Sequence, residues 1–192
     1  NTYAQEILDQ NSRLYEFAPD VVILAAQTAD VAPAIWENFS DLDSAAVQSH
    51  VDQTIQMFRH LTATFRGKSK AQLLVHTLQT PPDPANGILD AQSELGQSAA
   101  VGRINRALLD IAREHHNVYL PDINALVTRR GWRHWYDPRK HLTVGMPIAA
   151  AELIHLAREW LRYLHPMTGR VCKVLAVDLD NTLWGGVIGE DG

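Results

Sequence analysis

A single cysteine, Cys172, stands among the 192 residues, so no disulfide can close within the chain, and a reducing, cytoplasmic setting is expected. Long apolar runs are also missing. The longest, Val21 to Ala26, has six residues, against the ~20 that a helix needs to cross a bilayer. No transmembrane helix and no membrane partner are therefore expected. Nor does charge of one sign prevail: 17 Lys and Arg face 22 Asp and Glu, for a net charge of −5. That balance argues against general binding to nucleic-acid phosphates. What is present is the composition of a packed globular protein, 46% hydrophobic and 20% charged.

The order of patterns predicts an α/β fold. A helical pattern over Thr2 to Phe17 is interrupted at Asn11-Ser12, and Val21 to Ala26 reads as a strand buried on both faces. Asp43-Ser44 can cap a long helix with Val47, Val51, Ile55, Phe58, Leu61 and Phe65 at steps of three or four. A second strand, Leu73 to Leu78, ends before Pro81-Pro82, and a helix with Val101, Ile104, Leu108 and Ile111 on one face follows. Val118 to Leu120 is a short strand, and Asp122 to Arg130 a brief helix stopped by Gly131. A last helix from Pro147 to Leu164 breaks at His165-Pro166, and Val171 to Val177 forms a final strand. Strands separated by helices imply crossovers and a parallel sheet flanked by helices. The domain boundary is expected near residues 165–170. Both ends read as cut, so a fragment of a longer protein is expected.

The most specific segment is VLAVDLDNTLWGG. Its apolar strand ends in Asp178 and Asp180, and the period of two puts both carboxylates on one side, at the sheet edge where ligands bind. Acids this close repel unless a divalent cation or a shared proton lies between them. The arrangement suits phosphoryl transfer, one carboxylate attacking phosphorus and its neighbour moving protons. A bare D-x-D is otherwise a pair of surface acids closing a strand.

D-L-D-N-T-L after four apolar residues resembles motif I of the haloacid dehalogenase (HAD) superfamily, and the extension WGGVIGEDG resembles its FkbH-like group, subfamily IIIC. The resemblance implies that Asp178 is the nucleophile and a Mg²⁺ ligand. Asp180 would be the general acid/base, giving its backbone carbonyl to the metal. It further implies that Thr182 braces the loop and that Trp184, Gly185 and Gly186 turn into a flap. Residues 170–192 would then open a HAD-like domain whose remaining motifs lie downstream. The group's links to polyketide, nonribosomal-peptide and polysaccharide pathways imply a phosphorylated small-molecule substrate. An acyl carrier protein is implied as a partner, with plain dephosphorylation and glyceryl loading both open. Cys172, six residues before Asp178, reads as a small apolar filler rather than a thiol acceptor.

Residues 1–166 resemble the SGNH-hydrolase, flavodoxin-like fold with its first strand missing. The segment YDPRKHLTVG is similar to block V of that family, which implies an Asp137 and His141 remnant of a Ser-His-Asp triad. Its spacing is one residue longer than usual. Where the family has G-x-N-D, this chain reads Gln27-Thr28-Ala29-Asp30, so the Asn that donates to the oxyanion is missing. A degenerate domain is expected over a Ser esterase, with a non-catalytic carrier-protein docking module as a further alternative. In that setting His141 is expected to hydrogen-bond to Asp137.

The segment from Thr128 to His141 carries five basic residues and one acid among Trp132, Trp135 and Tyr136. Rings packing beneath a long loop is the first expectation. A patch around Arg129, Arg130 and Arg133 that steers an acidic carrier protein is the second. Nucleic acid is not expected.

Overall fold

The structure, a computed structural model, describes residues 2–169. The chain divides into two compact units, Asn1–Leu153 and Ile154–Gly192. In the first, β1 (Val21–Leu24), β2 (Gln72–Val75) and β3 (Val118–Tyr119) form a parallel sheet in that order. Val21 is in register with Gln72, Leu24 with Val75, and Leu73 with Val118. Before β1 stand α1 (Thr2–Leu8) and α2 (Arg13–Phe17), broken where Asn11-Ser12 interrupts the pattern. Between β1 and β2 come two short helices, α3 (Thr28–Val31) and α4 (Pro33–Glu37), and the long α5 (Ser44–Lys68). α6 (Gln97–Glu114) returns from β2 to β3. Parallel neighbours cannot be joined by a hairpin, so these helices are the crossovers that the topology requires. The fold is α/β, as the element order predicts.

The core follows the apolar spacing. On α5, Val47, Val51, Phe58, Leu61 and Phe65 are buried, and Phe58 and Phe65 are 0% exposed. Full burial of one such side chain contributes roughly 1.5–3 kcal/mol. Ile55 is half-buried at the edge of the stripe. α6 packs beside α5 and adds Val101, Ile104, Leu108 and Ile111. The Asp43 carboxylate accepts from the Ala46 N–H at 2.8 Å and so caps α5.

Several boundaries differ from the sequence expectation. β2 stops at Val75 although residues 76–78 stay buried. Their N–H groups leave the regular ladder for Leu24 O, Pro121 O and the Asn105 side chain. After β3, α7 (Ile123–Arg130) is capped by Asp122 and ends at Gly131, whose φ of +85° suits glycine. The expected long loop then folds as α8 (Trp132–Trp135) and α9 (Pro138–Val144). Residues 147–149 are not helical. Asp137 N–H donates to Pro147 O at 2.7 Å and Ala149 N–H to Trp135 O at 2.8 Å, and these cross-links hold the chain extended.

The last helix, α10 (Leu153–Met167), accounts for most of what is described of the second unit. It runs through Pro166, where a break was expected. In the final turn a proline forfeits little of the helical ladder, and the stop comes at Gly169, with φ +71°. The expected strand Val171 to Val177 lies outside the described residues.

Candidate functional site

At the carboxyl ends of β1 and β2 the chain opens a small cleft. Gln27, Thr28 and Ala29 enter it from the start of α3, and Trp36 comes from α4. Gln79 follows β2, and Trp132, Tyr136, His141 and Pro147 complete the lining. Its cavity volume is about 20 Å³, room for little more than one water molecule.

The cleft is braced by polar side chains that hydrogen-bond to its backbone. Thr28 Oγ1 donates to Gln79 O at 2.8 Å, tying the ends of the two strands together. Asn105 on α6 receives the Leu78 N–H at 2.7 Å and donates to Leu78 O at 2.8 Å. Asn124 on α7 receives the Thr80 N–H at 2.9 Å and donates to the same Leu78 O at 2.8 Å. Thr77 Oγ1 receives the Ile123 N–H. Residues 77–80 are therefore held on both flanks, and the N–H groups of Thr77, Leu78 and Thr80 find acceptors although the chain there has left the regular ladder. Next to them His76 is buried, and desolvation lowers its pKa to about 4.

Gln97 fixes the other wall. Its Nε2 donates to Ile35 O and Trp36 O at 2.8 and 3.0 Å, and its Oε1 receives the Ala85 N–H at 2.8 Å. The buried Asp90 carboxylate receives the N–H groups of Gln97 and Ser98 and so caps α6. Gly96 is required there, because a Cβ would lie 2.6 Å from Asp90 O and 2.8 Å from its Oδ1.

Trp132 and Tyr136 stack at 5.5 Å with planes 11° apart, and the His141 ring lies tilted against Tyr136 at 5.9 Å. Asp137 is occupied elsewhere. Its Oδ1 receives the N–H groups of Arg139 and Lys140 at 3.0 and 3.1 Å, capping α9, with Pro138 in the first turn. His141 reaches Asp137 through the main chain, its N–H donating to Asp137 O at 3.0 Å. The expected side-chain bond to Asp137 is not made. His141 Nδ1 is buried and has no hydrogen-bond partner among the described residues. Ala29 lines the cleft without a donor side chain.

The basic segment is divided as well. Arg130 grips the buried Glu152 with Nε and Nη2 at 2.7 and 3.2 Å, so this guanidinium is structural. Arg129, Arg133 and Arg139 are exposed on α7 to α9, and Trp135 is 1% exposed.

The other expected site residues, Asp178, Asp180, Thr182, Trp184, Gly185 and Gly186, lie outside the described residues, as does Cys172. Among the described residues no three His, Cys, Asp or Glu side chains converge as a metal site. Nor, among them, is any helix long and apolar enough to cross a membrane. Trp36 and Gln79 escaped the sequence reading. Gln79 had a signal, its place just past a buried strand, whereas nothing in the sequence marks Trp36.

A model of the family described as FkbH, N-terminal domain, matches residues 1–164. Among solved structures, the chain is similar to the N-terminal part of the protein BF1531 from Bacteroides fragilis, described as containing a phosphatase domain complexed with Mg. The two are 21% identical with a TM-score of 0.81, over 100% of this chain and 49% of the other. The chain thus spans about half the length of that relative. Comparison with curated protein sequences gave no match.

Proposed function

The chain belongs to the family of FkbH N-terminal domains, and from that premise we propose that it is the N-terminal module, with the opening of the catalytic domain, of a cytoplasmic Mg²⁺-dependent phosphatase or phosphotransferase. The observation that carries this reading is the pair Asp178 and Asp180 at the end of an apolar run, followed by Asn181, Thr182, Leu183, Trp184, Gly185 and Gly186. The phosphatase domain and Mg in the description of the Bacteroides relative support it.

A carboxylate and a main-chain carbonyl are hard oxygen donors of the kind Mg²⁺ takes, and the Asp178 carboxylate and the Asp180 backbone carbonyl would hold it, which leaves the Asp180 carboxyl to move protons. Bound there, the ion would offset charge on the phosphoryl oxygens. The Asp178 carboxylate attacks phosphorus as the bond to the leaving oxygen breaks, and Asp180 gives that oxygen its proton. Water then attacks the aspartyl-phosphate, Asp180 takes the proton, and phosphate leaves. Loading of the dephosphorylated group onto an acyl carrier protein is the finer form of the reading. In the intact protein, Asp180→Asn is expected to slow phosphate release from a phosphorylated small molecule by ~10²–10⁴-fold. Unchanged turnover would contradict its role.

For the N-terminal part, a non-catalytic module is favoured over an esterase. Supporting it are the Asp137 carboxylate engaged as a helix cap, the His141 Nδ1 without a partner among the described residues, and Ala29 in the place of an oxyanion donor. A carrier protein would approach Arg129, Arg133 and Arg139, which stand out on a chain of net charge −5. Replacing Arg129 and Arg133 by Ala, with Arg130 kept for Glu152, is expected to weaken binding of an acidic carrier protein and flatten its salt dependence. Equal affinity and salt slope would remove this face from the docking reading.

A further inference from the structure

We propose that the chain associates with a second copy of itself through two exposed tips, the acidic tip of each copy meeting the basic tip of the other. The first tip follows β2, where a 3₁₀ turn runs over Gly87–Gln92. It carries Ile88, which is 90% exposed, and Leu89, exposed beside it. Residues 81–96 hold three acids and no Lys or Arg. Asp90 is buried as the cap of α6, which leaves Asp83 and Glu94 exposed. The second tip is the end of α9, where Leu142 is 84% exposed and Val144 is exposed as well. Residues 138–145 hold Arg139 and Lys140 and no acid. Asp83, Glu94, Arg139 and Lys140 make no ion pair among the described residues.

Single exposed hydrophobic residues are ordinary, but here each apolar pair lies beside charge of one sign, and the two signs are opposite. Each tip offers the charge that the other lacks. An unrelated partner would account for one tip and leave the other in water. Both tips arise beside the same cleft. Leu142 follows His141, which lines it, and Ala85 N–H donates to Gln97, whose amide holds the main chain of Trp36 in that lining. Tips beside one cleft let a two-fold axis make both contacts at once, so the pair closes as a dimer instead of growing into a filament. In that contact the apolar side chains leave water at the centre and the charges stay at the rim. The tips are also stiff. Pro81, Pro82 and Pro84 lead into the first, and Gly145, at φ +67°, ends α9 at the second, so association costs little ordering. Of the arginines offered to a carrier protein the dimer takes only Arg139, and Arg129 and Arg133 remain to it.

The test is sedimentation equilibrium of the 192-residue chain over a concentration series at low and high salt. A monomer–dimer equilibrium is expected, with association weakening as salt rises. One reversed variant carries Asp83→Lys with Glu94→Lys, the other Arg139→Glu with Lys140→Glu. Each sets like charges face to face and is expected to weaken self-association at least about tenfold, or ~1.4 kcal/mol. An equal mixture of the two is expected to dimerise as the parent does, because both contacts then pair opposite charges again. Ile88→Ser with Leu142→Ser is expected to weaken association by a similar factor and to keep its salt dependence. That variant decides the matter should a reversed one fold poorly. A parent that stays monomeric, reversed variants that self-associate like the parent, or a mixture of folded variants that stays monomeric would each overturn the proposal. An undiminished dimer in the serine variant would do the same. Because no phosphate release is measured, an inactive phosphatase leaves the outcome readable.

Discussion

The carboxylate of Asp137 and the imidazole of His141 stand one helical turn apart on α9 and are joined only through the main chain. Asp137 spends its Oδ1 on the N–H groups of Arg139 and Lys140, while His141 Nδ1 is without a partner among the described residues. A catalytic dyad needs the reverse, an acid that orients the imidazole through Nδ1. The chain is expected not to turn over simple aryl esters above a buffer blank. An ester rate that disappears in His141→Ala would promote the esterase reading.

The same geometry makes Asp137 a stability residue. Asp137→Ala is expected to cost ~0.5–2 kcal/mol, the usual loss on removing a helix cap, read as a lower denaturation midpoint. An unchanged midpoint would show that the cap contributes nothing.

Gly96 should tolerate no side chain. Gly96→Ala drives a Cβ into the Asp90 main chain, which cannot swing aside, and disturbs the carboxylate that caps α6. A loss of ~1–3 kcal/mol is expected, as for overpacking elsewhere. Gly102, whose Cβ would meet nothing within 4 Å, is the control, and Gly102→Ala should be neutral or stabilising. Equal effects at the two positions would refute the packing argument.

His76 gives a defined acid sensitivity. Burial lowers its pKa from 6.5 to about 4, so the unfolded chain takes up a proton that the folded chain refuses. The neutral form carries no penalty above pH 6.5, and stability falls as pH drops from there to about 4. The slope from this group is at most ~1.4 kcal/mol per pH unit, for a total on the order of 3 kcal/mol. Denaturation of the parent and His76→Gln across that window should show a shallower pH dependence in the variant. Identical slopes would mean that His76 is not the group responsible.

Much of the fold was legible because its signals are local. The break at Asn11-Ser12, the cap at Asp43, the stripe from Val47 to Phe65 and the stop at Gly131 each depend on a few neighbouring residues. The cleft was legible only in part. Thr28 and Gln79 are 51 residues apart, and Leu78 and Asn105 are 27 apart, so no periodicity announces those bonds. The short helices α3, α4, α8 and α9 span a turn or two at most, too little for a 3.6-residue pattern to emerge. Asp137 did carry a readable signal. An Asp immediately before Pro is a cap followed by a first-turn proline, and that reading competes with an acid paired to His141.

In the proposed function, Asp178 is the nucleophile of a Mg²⁺-dependent phosphatase to which this chain contributes the N-terminal module. The most direct measurement is phosphate release by the intact protein and its Asp178→Asn variant, with Mg²⁺ present and after chelation. Release by the parent is expected to fall on chelation, and the variant is expected to show neither release nor a phosphorylated-enzyme adduct. Full activity in Asp178→Asn protein with Mg²⁺ present would contradict it.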